Sequence, residues 1–266
     1  MNGMNDWSVV KAEGRLVAAA VHDGHSIREN LVERLSLDDA SRLREEDPFT
    51  GIWTGVGNST IVVSTSRFEV DLNRPREKAV YRKPEDAWGL SVWNGELEDE
   101  FVNQSLEKYD RFYEDVKVLF AELEKEYGTF FVYDIHTYNH MRDGESGSPA
   151  DPESNPEVNI GTGNLDRERW ASLVDRFISD LSSFDYNGRH LDVRENVKFK
   201  GGEFSRWIGN NFPDSACCIA IEFKKFFMDE WTGIPDEVQV ALINDAVKST
   251  AEGVLDELNK AGVRNE

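Results

Sequence analysis

The chain has 266 residues, of which 39% are apolar and 30% charged. That composition buries a sizeable core beneath a heavily charged surface and excludes a disordered chain. Its 51 acidic residues outnumber 30 basic ones, giving a formal net charge of -21 that repels phosphate backbones and anionic bilayers and removes nucleic acid and membranes as expected partners. The acidic residues are spread along the chain and arginines outnumber lysines, as in a solvated acidic coat suited to a salt-rich cytoplasm. Adjacent Cys217 and Cys218 lie in an apolar run where a disulfide between them is geometrically unfavourable, so free thiols in a reducing, cytoplasmic compartment are expected. No apolar stretch approaches the roughly 20 residues of a membrane helix, and no secretory pattern opens the sequence.

In chain order, residues 15–21 read as an apolar strand running straight into the turn His22-Asp23-Gly24-His25. Arg28 follows, and then the acidic run Glu45-Glu46-Asp47. A second strand over 59–64 precedes the segment Asp71-Leu72-Asn73-Arg74-Pro75. Tyr109, Phe112, Val116, Leu119, Leu123 and Tyr127 recur at three- and four-residue spacing, which predicts an amphipathic helix. A third strand, 129–135, delivers His136 and then Thr137, Tyr138, Asn139 and His140. Residues 139–164 carry Asp-Gly, Gly-Ser-Pro and Asp-Pro pairs, turn signals in a segment long enough to be a lid or binding loop. A helix follows from Trp170 to Phe184, then a strand over 216–223 that contains Glu222, and a last helical stripe from Val240 to Leu258.

Strands alternating with long helices predict an α/β fold, a three-layer sandwich around a mixed, mostly parallel sheet, within one domain spanning 1–266. Ligands of such sheets bind beyond the carboxyl ends of the strands, where His22 and His136 both surface. Four of the five histidines fall in two short clusters after strands. Imidazoles and carboxylates are the ligands zinc takes, and a catalytic site uses about three of them and keeps a position open for water. His22, His25 and His136 make that set, with Glu46 or Asp47 as oxygen alternatives to His25 and with Asp134 placed to orient a ligand ring.

The guanidinium of Arg74 and the neighbouring amide of Asn73 suit a substrate carboxylate or carbonyl, and Arg28 is a second anion-holding candidate. Glu222 ends a run so apolar that its carboxylate needs a partner or a purpose. An ion pair with Lys224 or Lys225 is one explanation, and a proton acceptor for amide hydrolysis is the other.

The segment from Asn196 to Glu230, with Gly201-Gly202, a short helix, and a buried strand ending at Glu222 before Phe227-Met228-Asp229-Glu230, resembles the N-formylglutamate amidohydrolase family. The segments around His22, Asn73-Arg74 and Asp134-Ile135-His136 are similar to that family's motifs as well. The family is related to zinc carboxypeptidases and aspartoacylases. The resemblance implies zinc on His22 and His136, Glu222 as general acid and base, substrate contacts from Asn73 and Arg74, and a small carboxylate-bearing substrate whose N-formyl or N-acyl amide is cleaved. Aspartoacylases and carboxypeptidases carry glutamate where His25 stands, so the third ligand stays open among His25, Glu46 and Asp47. A peptide carboxypeptidase and a non-catalytic metal-containing binding protein are the competing readings.

Overall fold

Seven strands form one sheet in the computed structural model, which describes residues 5–263. They are β1 (Trp7–Val10), β2 (Leu16–Ala20), β3 (Ser59–Val63), β4 (Phe130–Tyr138), β5 (Val158–Gly161), β6 (Val193–Glu195) and β7 (Ala216–Lys224). Their spatial order is β1-β3-β2-β4-β7-β5-β6. β1 runs antiparallel to β3, and β5 antiparallel to β7, while all other neighbours are parallel. The helices are α1 (Glu29–Val32), α2 (Asp39–Glu45), α3 (Thr50–Trp53), α4 (Asp99–Tyr127), α5 (Ala171–Ser183), α6 (Glu203–Asn211), α7 (Glu237–Ser249) and α8 (Ala251–Val263).

Side chains alternate between the two faces of a strand, so central strands buried on both faces are apolar throughout. Phe130 and Val132 of β4 join Val17 and Ala19 of β2 against Phe112, Val116 and Phe120 of α4 and Phe204 and Ile208 of α6. Phe131, Tyr133 and Ile135 point the other way, with Leu16 and Ala18, onto Phe177 of α5, Ile243 and Val247 of α7, and Val254 and Leu258 of α8. Each fully buried large side chain there contributes roughly 1.5–3 kcal/mol. The result is the expected three-layer α/β sandwich. No helix among the described residues is long and apolar enough to cross a membrane.

Two expectations change in detail. The stripe from Val240 to Leu258 is two helices, because the Thr250 hydroxyl bonds back to the Val247 carbonyl at 2.7 Å and lies 3.2 Å from the Tyr133 hydroxyl, closing a turn. The irregular stretch 139–164 also contains β5, whose four residues are too short to show a period.

β2, β4 and β7 are adjacent and parallel, so their carboxyl ends open on one edge. In the β4–β7 register His136 is the direct partner of Glu222. Paired residues in a parallel sheet project to the same side, which sets the Glu222 carboxylate beside the His136 ring.

Candidate metal centre and cavity

At that edge His22, Asp47 and His136 converge, each at most 2% exposed, with ligand atoms within 4.8 Å of one another. Asp47 Oδ2 lies 3.3 Å from His22 Nδ1 and 3.1 Å from His136 Nδ1. These separations match the roughly 3.3 Å edge of a tetrahedron built on zinc–ligand bonds of about 2.0–2.1 Å. The opposite ring nitrogens are held from behind: His22 Nε2 lies 2.7 Å from Asp71 Oδ1 and His136 Nε2 lies 2.8 Å from Asp134 Oδ1. A carboxylate only accepts, so each Nε2 donates to the carboxylate behind it, which leaves each Nδ1 as the ring atom that would face a metal ion beside Asp47. The remaining Asp47 oxygen accepts from Thr137 Oγ1 at 3.1 Å.

Charge follows the same logic. Burial alone would raise the Asp47 carboxyl, yet His136 and His22 hold it well below the usual carboxylate range. Burial alone would lower the His136 imidazole, yet Asp134 and Asp47 hold it well above the usual histidine range. Carboxylates packed around two imidazoles favour a positive charge between them, and this donor set of two nitrogens and an oxygen fits zinc.

Of the three candidates for the third ligand position, the fold brings in Asp47 and turns the other two away. α2 ends at Glu45, and Glu46 is extended (ψ 172°), so Glu46 and Asp47 point to opposite sides. Glu46 accepts from the Ser66 hydroxyl and lies 2.5 Å from His25 Nδ1. His25 is thus engaged outside the cluster, with Arg42 Nη2 3.0 Å from its Nε2. Gly24 permits this chain path, because a Cβ there would sit 2.2 Å from the Ser64 carbonyl carbon. Arg28 is likewise placed elsewhere: it donates to Glu69 at 2.8 Å, to Ser105 at 2.8 Å and to the Phe101 carbonyl at 2.7 Å, and it does not line the cavity.

Glu222 is partly exposed to the cavity, and no hydrogen bond or ion pair engages its carboxylate among the described residues. Burial, with added repulsion from Asp47 and Asp134, pushes its pKa up to about 7. The ion-pair explanation does not describe the fold, since Lys224 Nζ donates to the Asn155 carbonyl and Lys225 Nζ to those of Arg44 and Glu46.

The cavity above this corner has a volume of about 500 Å³. Its cations are Arg67, Arg74, Lys78, Arg142, Lys198, Lys200, Arg206 and Lys225, against the carboxylates of Glu45, Asp47, Glu203 and Glu222 only. In a chain of net charge -21 this reverses the balance locally. Arg74 Nε is 3.8 Å from Asp71 Oδ2, and its guanidinium lies 5.9 Å from the ring centre of Trp88, a residue in left-handed backbone (φ 54°) at the cavity wall. Asn73 Oδ1 accepts from Phe204 N at 2.9 Å, docking the start of α6. Its Nδ2 is 3.3 Å from His136 Nε2, which already donates to Asp134, so that nitrogen does not take an amide proton, and the Asn73 side chain lines the cavity.

The family model for N-formylglutamate amidohydrolase matches residues 14–228. The chain belongs to the N-formylglutamate amidohydrolase family. No curated protein matches it in sequence. It is similar in fold to the crystal structure of N-formylglutamate amidohydrolase from Ralstonia eutropha JMP134, with a TM-score of 0.74 at 16% identity, covering 97% of this chain and 99% of that one. A gene product from Agrobacterium tumefaciens gives a TM-score of 0.67 at 19% identity, covering 95% and 96%. The chain is therefore a hydrolase of the N-formylglutamate amidohydrolase type, acting on a small molecule.

Several residues of this amidohydrolase site escaped the sequence reading. Asp71 was passed over for its neighbours Asn73 and Arg74, although a buried carboxylate in an otherwise apolar stretch signals a partner. Arg67, four residues earlier, reaches Asp71 at 2.8 Å, a spacing that could have announced the pair. Lys198, Lys200 and Arg142 come from loops and carried no periodic signal.

Proposed function

We propose that this amidohydrolase uses zinc, held by His22, Asp47 and His136, to cleave the amide of an N-formyl or N-acyl amino acid, with an N-formylglutamate-like dicarboxylate preferred. Zinc in that corner supplies Lewis acidity toward the scissile carbonyl and brings the pKa of water toward neutrality. The observation that carries the reading is Glu222, an uncompensated carboxylate with its pKa pushed up to about 7, fixed beside His136 by strand register. A group of that pKa takes a proton from water and returns it to the leaving nitrogen at neutral pH. Arg74 offers a bidentate fork to the substrate carboxylate next to the amide, and the Asn73 amide donates to the substrate from the same wall. The lysines of the outer cavity favour a second negative charge on the substrate.

The test is release of formate from N-formylglutamate by chain purified with zinc, measured beside N-formylleucine and the amide of N-formylglutamate's α-carboxylate. The acid substrate should be turned over fastest, with kcat/KM at least about tenfold above either analogue, the worth of roughly one charge-assisted contact. Equal rates on all three would sink the dicarboxylate reading. No hydrolysis of any N-acyl amino acid would sink the proposed substrate class.

A further inference from the structure

Three successive backbone carbonyls precede Asp47, and each is held by a cationic side chain. Lys225 Nζ donates to the carbonyls of Arg44 and Glu46, both at 2.6 Å, and Arg67 Nη1 donates to that of Glu45 at 3.1 Å. α2 ends at Glu45, so these oxygens lie at the helix end where no further turn supplies N–H donors and where the helix dipole is negative. Lys225 is only 1% exposed, and no carboxylate lies within ion-pair distance of its ammonium among the described residues. An ammonium is costly to bury, and here the carbonyls account for its place.

The next residue along is Asp47, whose N–H donates to the His22 carbonyl at 2.9 Å and whose Oδ1 accepts from Thr137. The chain entering Asp47 and the carboxylate leaving it are thus both fixed. We propose that Lys225 is a positioning residue of the metal centre. Reaching from the end of β7, three residues beyond Glu222, it clamps the end of α2 and aims Asp47 between His22 and His136. Ligand mount and proton acceptor are then tied to the same strand. Arg67 shares the clamp, but it also holds Asp71 and through it His22, so a change there disturbs two ligands at once. Lys225 acts on the Asp47 side alone and gives the cleaner test. The inference rests on reading His22, Asp47 and His136 as a zinc site.

The experiment is zinc affinity of the full chain, measured by competition with a chelator of known strength, with cobalt absorption as a second readout of ligand geometry. Lys225→Met should weaken zinc binding by roughly 10–100-fold, the usual effect of losing an outer support of a metal ligand. Lys225→Arg, which still donates to carbonyls, should recover affinity to within roughly threefold of wild type, and Lys225→Gln should fall between. Melting of the metal-free variants separates the alternatives. A role confined to packing predicts a lower melting temperature for Lys225→Met with unchanged zinc affinity, and that outcome overturns the proposal. If Lys225→Met does not fold, the Arg and Gln variants decide: glutamine weaker than arginine supports the clamp, and wild-type affinity in both overturns it. Absence of zinc binding in the wild type overturns the metal-centre reading and this inference together, whereas zinc bound equally by wild type and Lys225→Met overturns only the latter.

Discussion

Where the cavity meets the sheet, its side chains are buried, mutually hydrogen-bonded and rich in carboxylate: Asp47, Asp71 and Asp134 surround two imidazoles. Where it meets the loops, they are exposed cations, with Arg142 at 47%, Arg206 at 48% and Arg74 at 37% side-chain exposure. The inner corner is suited to a cation and the outer wall to an anion. A substrate bearing carboxylates and presenting an amide oxygen inward satisfies both. The net charge of -21 describes the body of the molecule and not its working surface, which is why composition said nothing about substrate charge.

The largest effect expected is on the inner corner. Protein purified without chelator should carry about one zinc per chain, the stoichiometry of one three-ligand site, and His22→Ala, His136→Ala or Asp47→Asn should lose it. His25→Ala and Glu46→Gln should keep it, because their side chains face each other outside the cluster. Elemental analysis of the five variants checks this. Metal retained by Asp47→Asn and lost by His25→Ala would reverse the ligand assignment.

This contrast also marks what could be read in advance. The four strands at 15–21, 59–64, 129–135 and 216–223 and the helical stripes were legible because burial on both faces of a strand leaves a continuous apolar run and burial of one helical face leaves a periodic trace. The positions of His22, His136 and Glu222 were legible because they lie at or just past the carboxyl ends of such strands. The choice of Asp47 over His25 was not, since it depends on one extended residue at the end of α2 and on Gly24 passing close to β3. β1, β5 and β6 have four residues or fewer and pair only through tertiary contacts. The cationic wall is assembled from loops and the first turn of α6, segments distant in sequence, which no local pattern records.

An intermediate effect is expected at the boundary between the two regions. Glu222→Gln should keep zinc and lower kcat by roughly 10²–10⁴, the usual worth of general acid and base catalysis. In the wild type, activity should fall as pH drops and the carboxylate is protonated, and this acid limb should vanish in the variant. Stability of the metal-free chain has its own sign. The Glu222 pKa of about 7 exceeds the ordinary 4.5, so between those values the folded chain holds a proton that the unfolded chain has released. This contribution is fully present below about 4.5 and is lost as pH rises toward about 7, whereas the glutamine variant should lack that slope. Chemical denaturation of both proteins at pH 4.5 and 7.5 measures it, and parallel pH profiles would show that Glu222 titrates normally.

The smallest functional effect separates two arginines that the sequence treated alike. Arg74 lines the cavity and is held only loosely, by a 3.8 Å contact to Asp71, so its fork is available to a carboxylate. Arg74→Lys should raise KM by about tenfold on free-acid substrate, since a point charge does not reproduce a bidentate pair, and should change KM little on the amidated analogue. Arg28 is committed instead to Glu69, Ser105 and the Phe101 carbonyl, away from the cavity. Its loss leaves the fully buried Glu69 with Lys108, 2.6 Å away, as the remaining ion-pair partner. Arg28→Met should therefore leave KM unchanged on both substrates and lower stability by roughly 1.5–3 kcal/mol, the worth of hydrogen bonds to a charged group. Thermal melting and steady-state kinetics on the two variants test the division. A raised KM in a normally stable Arg28→Met protein would return Arg28 to the substrate site, and an unchanged KM in Arg74→Lys would remove Arg74 from it.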